Sequence, residues 1–310
     1  MNYIVRSRRF LLLLLISGFS LSVAHAQEAT KADAQATAAI TQGQKVYSIG
    51  HSFHVFMPRI LDDIAKAAEI KDHKQLGTSS IGGSRVIQHW DLKDDKNKAK
   101  ELLKSGAIDV LTMSPIYLPD DGIENFVSLA FEHNPNIRIT IQEFWLPFDN
   151  YTPPRHAGGK IDHNALPLEE LKARHNRYFA DMDAVVQELR KKHGKETIYI
   201  APVGQAVVAL REQIVAGKVP GLKTQSELFT DDIGHATPPL QALVAYVHFA
   251  VTYRKSPVGL PTPAVLGGGK NEEKYPPELI TKLQEIAWQA AVEHPLSGVA
   301  ADAKKEAASQ

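Results

Sequence analysis

Short apolar runs alternate with amphipathic segments along most of this chain. Lys45 to Ile49 reads as a strand, and Met57, Ile60, Leu61, Ile64, Ala65 and Ala68 follow at helical spacing. Gln75 to Ile81 is a weaker strand pattern closed by Gly82-Gly83. Lys98 to Leu103 is a short helix stopped at Gly106. Ile108 to Met113 is an apolar strand, Ile123 to Glu132 a helix and Ile137 to Phe144 a strand. Phe179, Met182, Val185, Val186 and Leu189 mark a helix that stops at Gly194, and Thr197 to Ala201 is the last clear strand. Ala206 to Val215 is helical, Leu240, Leu243, Val244 and Val247 mark another helix, and Pro277 opens the last one. Strands separated by helices predict an α/β fold, a three-layer α/β/α sandwich around a mainly parallel sheet. Ligands of such sheets bind beyond the carboxyl ends of the strands.

One stretch breaks the rhythm. From Trp145 to about Lys172 the chain is irregular, with Pro147, Pro153, Pro154, Gly158, Gly159 and Pro167. It follows a strand's carboxyl end, where a long loop serves as a lid or binding loop. Trp145, Phe148 and Tyr151 either stack on a substrate ring or pack the loop onto the body.

The ends of the chain change the picture. Arg6, Arg8 and Arg9, the apolar Phe10 to Val23 and the small-x-small Ala24-His25-Ala26 form an export signal, cleaved after Ala26. The domain division read from the sequence is a signal peptide over 1–26, a flexible leader over 27–43, one domain over 44–298 and a disordered tail over 299–310. A periplasmic or secreted protein with no integral membrane segment in its mature chain is expected. The chain carries 35 basic and 35 acidic residues, so loss of three arginines leaves a mature charge of −3. No basic patch stands out, which argues against a nucleic-acid partner. With no cysteine, thiol catalysis, disulfides and cysteine-zinc sites are excluded. His51 and His54 lack further ligands at metal-binding spacing, so no metal and no cofactor are expected.

The candidate chemistry sits at two turns. Gly50-His51-Ser52-Phe53 places a serine between a strand's carboxyl end and a helix, among backbone N–H groups suited to an oxyanion. Far along the chain, Asp232-Ile233-Gly234-His235 precedes a helix. A D-x-x-H turn brings a carboxylate back onto the imidazole and leaves one ring nitrogen for a serine. Asp231 is a neighbouring alternative for the acid.

These pieces resemble the SGNH (GDSL-like) hydrolases, over roughly Lys45 to Pro257. Gly50-His51-Ser52-Phe53 matches the first family block, Gly83 within Ser80-Ile81-Gly82-Gly83-Ser84 the second, and Asp232 with His235 the last. The resemblance implies an SGNH (flavodoxin-like) fold and an exported serine ester hydrolase acting on carbohydrate O-acyl, notably acetyl, or other short-chain esters. In that reading Ser52 is the nucleophile, His235 the base and Asp232 its orienting acid. Ser52, Gly83 and Ser114 line the oxyanion hole, and His51, Trp145 and Tyr151 touch the substrate. Two positions depart from the family pattern. His51 replaces an acidic or amide residue. Thr112-Met113-Ser114-Pro115 lacks the asparagine that the third block contributes to the oxyanion hole, so Ser114 or Gln142 would have to substitute. The departure keeps open a second reading, a weakly active or inactive carbohydrate-binding protein on the same scaffold.

Overall fold

The computed structural model describes residues 38–151, 161–267 and 274–300. The expected export signal, most of the leader and the last ten residues of the tail lie outside them. Five strands form the sheet: β1 (Lys45–Gly50), β2 (Lys74–Ser80), β3 (Val110–Met113), β4 (Arg138–Gln142) and β5 (Ile198–Ala201). All pairings are parallel, in the order β2-β1-β3-β4-β5. This is the doubly wound, flavodoxin-like order, and its switch point lies between β1 and β3. The composition explains the positions. β1, β3, β4 and β5 are almost wholly buried, as strands covered on both faces must be. The more polar β2 (KQLGTSS) lies at an edge and is largely half-buried or exposed.

Among the described residues eight α-helices flank the sheet: α1 (Met57–Ala67), α2 (Val86–Trp90), α3 (Ala99–Lys104), α4 (Asp121–His133), α5 (Leu168–His193), α6 (Val203–Val215), α7 (Pro238–Tyr253) and α8 (Pro277–Glu293). α1 packs on α7 and α7 on α8, while α2 and α3 both pack on α4, giving the expected three-layer α/β/α sandwich. α7 is buried on nearly every side, which makes it a core helix rather than a surface one. Among the described residues no helix is long and apolar enough to cross a membrane.

Two elements differ from the sequence reading. α5 starts at Leu168, inside the segment expected to be irregular, because Pro167 precedes its first turn and Glu169 and Glu170 lie within it. Its early buried positions are Leu171, His175 and Tyr178, so few aliphatic residues mark the period. α2 spans five residues, too short for any period to show. One residue, Asp120, starts two helices. Its carboxylate accepts the N–H groups of Val86, Ile87 and Gly122 at 2.6, 3.0 and 3.0 Å.

Candidate active site

β1 ends against a tight turn. A Cβ on Gly50 would stand 2.9 Å from the His54 side chain and 3.1 Å from Ser114, so a larger residue would push one of these two side chains aside. Ser52 to Phe56 then form a turn ahead of α1. The His51 carbonyl accepts the N–H groups of His54 and Val55 at 2.9 and 3.1 Å. Ser52 therefore sits one turn before the helix proper rather than on its first residue. His51 Nδ1 accepts the Phe53 N–H at 3.3 Å. The neutral ring consequently carries its proton on Nε2, 3.2 Å from Ser114 Oγ.

The second turn approaches from beyond β5. The Phe229–Ala236 bridge and the Thr230 N–H on the His235 carbonyl, at 2.8 Å, pinch residues 229 to 236 into a loop. Gly234 turns it with φ +96°, a conformation glycine adopts without penalty. Trp145 Nε1–H donates to the Gly234 carbonyl at 2.8 Å, and the Phe148 N–H to that of Ile233 at 3.0 Å. So held, His235 Nε2 lies 2.8 Å from Ser52 Oγ and His235 Nδ1 lies 2.6 Å from Asp231 Oδ2.

The carboxylate on the imidazole is thus that of Asp231, which corrects the expectation of Asp232. The reason is local. Asp231 Oδ1 accepts the N–H groups of Gly234 and His235 at 3.0 and 3.1 Å, and this cap turns Oδ2 onto the ring. Desolvation pushes the Asp231 carboxyl up, but the hydrogen bonds from the His235 ring, the His235 N–H and the Gly234 N–H outweigh it and hold the pKa below the ordinary value. An ionised Asp231 accepts a hydrogen bond from Nδ1–H and keeps the proton on that nitrogen, so Nε2 is an acceptor and the Ser52 hydroxyl donates to it.

Ser52 and His235 open into a cavity of about 280 Å³ that His51, Gly82 and Gly83 also line. Its remaining walls are apolar: Phe53, Ile116, Pro147, Phe148 and Ile233. Of the three aromatic residues in the long loop, Phe148 reaches this cavity. Trp145 does not, contrary to expectation. It is wholly buried and stacks on Phe53 at 4.5 Å with the planes 8° apart. It joins the serine turn to the histidine turn from behind. Tyr151 also points elsewhere, its hydroxyl donating to Asp181 on α5 at 2.8 Å and its ring against Tyr178.

The expected oxyanion donors are placed unequally. Gly83, in the left-handed region at φ 62°, lies on the cavity wall with Ser52. The Gly82-Gly83 turn is braced by the Ser84 hydroxyl, which donates to the Ile81 carbonyl at 2.9 Å, and by His89 between Ser84 and Ser79 at 2.7 Å each. Ser114 is buried behind His51, with its Oγ on His51 Nε2, and does not line the cavity. Gln142 is also unavailable. Its Oε1 faces His54 Nδ1 at 2.8 Å and His248 Nε2 at 2.9 Å, and its Nε2 donates to the Phe53 carbonyl at 3.1 Å. This buried junction beneath the serine turn has no local sequence signal, because its members lie on β4, the turn after β1, and α7.

Among the described residues, Glu143, Asp183 and His294 bring their polar atoms within 4.8 Å of one another. His294 Nδ1 accepts the Leu296 N–H at 3.1 Å. The neutral ring then carries its proton on Nε2, the nitrogen facing the two carboxylates, and a metal ion needs that nitrogen bare.

No family model matches the chain, and no curated protein does. Among solved structures it is similar to phospholipase A1 from Streptomyces albidoflavus NA297, with 10% identity over 68% of this chain and 99% of that one, at a TM-score of 0.39. It is also similar to an extracellular lipase from Streptomyces rimosus, with 10% identity over 51% of this chain and 80% of that one, at a TM-score of 0.28. At those scores neither structure speaks for an activity of this chain.

Proposed function

We propose that the protein is a serine ester hydrolase in which Ser52 attacks, His235 moves the proton and Asp231 orients His235. The observation that carries this reading is the continuous contact from Asp231 Oδ2 through His235 to Ser52 Oγ, at 2.6 and 2.8 Å, opening into a cavity. In the first step Ser52 Oγ bonds to the ester carbonyl carbon while its proton passes to His235 Nε2. The imidazolium is stabilised by Asp231. His235 then protonates the departing alcohol, and water, deprotonated by the same nitrogen, releases the acid. The backbone N–H groups of Ser52 and Gly83 serve as oxyanion donors. With Ser114 turned to His51 and Gln142 held beneath the serine turn, neither expected side-chain donor joins them. A missing donor costs about 2.7–4 kcal/mol of barrier, so turnover is expected to be slow for this mechanism.

The substrates proposed are short-chain esters, O-acylated carbohydrates included. A domain over 44–298 behind an export signal would meet them in the periplasm or outside the cell. Release of acid from aryl esters and acylated polysaccharides, by wild type and by Ser52→Ala, tests the reading, together with fluorophosphonate labelling. Equal rates in the two proteins would remove Ser52 from the mechanism. The position of Ser114 favours one alternative, a binding protein on the same scaffold. That alternative expects carbohydrate binding by calorimetry with neither turnover nor labelling.

A further inference from the structure

Phe148 stands in a backbone conformation that nothing in its own chemistry favours. Its φ and ψ are 56° and 22°, and Asp149 beside it has φ 51°. Left-handed conformations are costly for residues with a Cβ and persist only where the surroundings over-determine them. The surroundings do so here. Both Asp149 carboxylate oxygens accept hydrogen bonds from Arg211, and Oδ2 also meets His163 Nδ1 at 2.9 Å. Arg211 is wholly buried, its Nε donating to Gln225 at 2.8 Å and its guanidinium stacked over Phe229 at 5.4 Å. The Phe148 N–H is spent on the Ile233 carbonyl. The fold thus commits a buried ion pair to presenting one aromatic ring, and that ring lines the cavity holding Ser52 and His235.

Apolar side chains share the cavity with that ring. Ile116, Pro147 and Ile233 line it together with Phe148, and Ile233 is 37% exposed despite being aliphatic. At about 280 Å³ the cavity falls just below the range that takes drug-sized ligands. It suits one small group. An acyl tail attached to the carbonyl that Ser52 attacks would lie there, with the alcohol outside.

We propose that this wall is an acyl-chain subsite, that Phe148 sets its depth, and that the group taken is a short alkyl acyl of the butyryl kind rather than acetyl. This rests on the ester-hydrolase reading above and adds to it the side of the ester that is selected. Each methylene buried is worth roughly fourfold in affinity for the transition state, so two give roughly fifteenfold.

The test is kcat/KM on aryl acetate, propionate, butyrate and hexanoate with wild type, Phe148→Ala and Phe148→Trp, with thermal midpoints as a check of folding. Wild type is expected to gain roughly fifteenfold from acetate to butyrate. Phe148→Ala should move the preference toward hexanoate and Phe148→Trp back toward acetate, opposite shifts that a purely structural role for the ring would not produce. Phe148→Leu, a smaller change, stands in if the alanine variant fails to fold. A wild-type optimum at acetate, or variants that scale every ester by one factor, would overturn the subsite while Ser52-dependent turnover left the hydrolase reading intact. Absence of Ser52-dependent turnover on all four esters would overturn both.

Discussion

Replacing Asp231 by asparagine tests the assignment of the acid most sharply, because the structure dictates what the amide must do. In the wild-type turn Oδ1 accepts two backbone N–H groups, from Gly234 and His235. An asparagine must keep its single oxygen there, since an NH₂ group cannot accept. Its Nδ2–H₂ then faces His235 Nδ1, 2.6 Å away in the wild-type geometry, and that nitrogen becomes an acceptor. The neutral ring carries its proton on Nε2 and donates to Ser52, when the reaction needs Nε2 bare. In the serine-protease triad the same change lowers kcat about 10⁴-fold. The Asp231 side chain is 42% exposed, so water restores part of the lost orientation. A fall of about 10²–10³-fold is expected, or about 3–4 kcal/mol of barrier. Asp232→Asn serves as the internal control and should stay within about threefold, because no bond to the His235 ring is removed. The assay is kcat on an aryl butyrate, with near-ultraviolet circular dichroism to show that both variants fold. A large loss in Asp232→Asn with Asp231 replaceable at little cost would refute the assignment.

Three further outcomes are expected. Asp149→Ala leaves the Arg211 guanidinium buried without its carboxylate and should cost about 3–5 kcal/mol in urea unfolding; a loss below about 1 kcal/mol would show that water reaches Arg211. Gln142→Leu strips the acceptor from His54 and His248 and the donor from the Phe53 carbonyl. It should destabilise the protein by about 3 kcal/mol and lower kcat more than it raises KM, and unchanged kcat would separate the junction from the serine turn. Burial holds the His54 and His175 imidazoles down at about 4, against an ordinary 6.5. The unfolded chain binds those protons first as pH falls, so this stability is complete above about pH 6.5 and is lost toward pH 4. The loss is on the order of 3 kcal/mol per histidine. An unfolding midpoint flat across that window would contradict it.

The strands and helices could be read in advance because their signals are local. β1, β3, β4 and β5 are buried on both faces, so their apolar runs needed no partner to be recognised. The two turns were legible for different reasons: Ser52 stands at the end of an apolar run, and His235 closes a D-x-x-H turn ahead of a helix. β2 was fainter because an edge strand keeps polar residues, and the start of α5 was missed because His175 and Tyr178 fill positions where aliphatic residues would mark the period.

The layered fold, the two turns and the residue types available at them follow from local patterns along the chain. Which of two adjacent aspartates faces His235 emerges in the folded chain, because both lie within reach in spacing and a backbone cap selects Asp231. Folding also sends Trp145 behind the site, Tyr151 onto α5, Ser114 beneath His51 and Phe148 into the cavity. The Asp231 cap is local, whereas these four side chains are directed from a distance. A side chain's direction in a loop follows from backbone angles and hydrogen bonds supplied by residues far away in sequence, as Arg211 does for Phe148 across the buried Asp149.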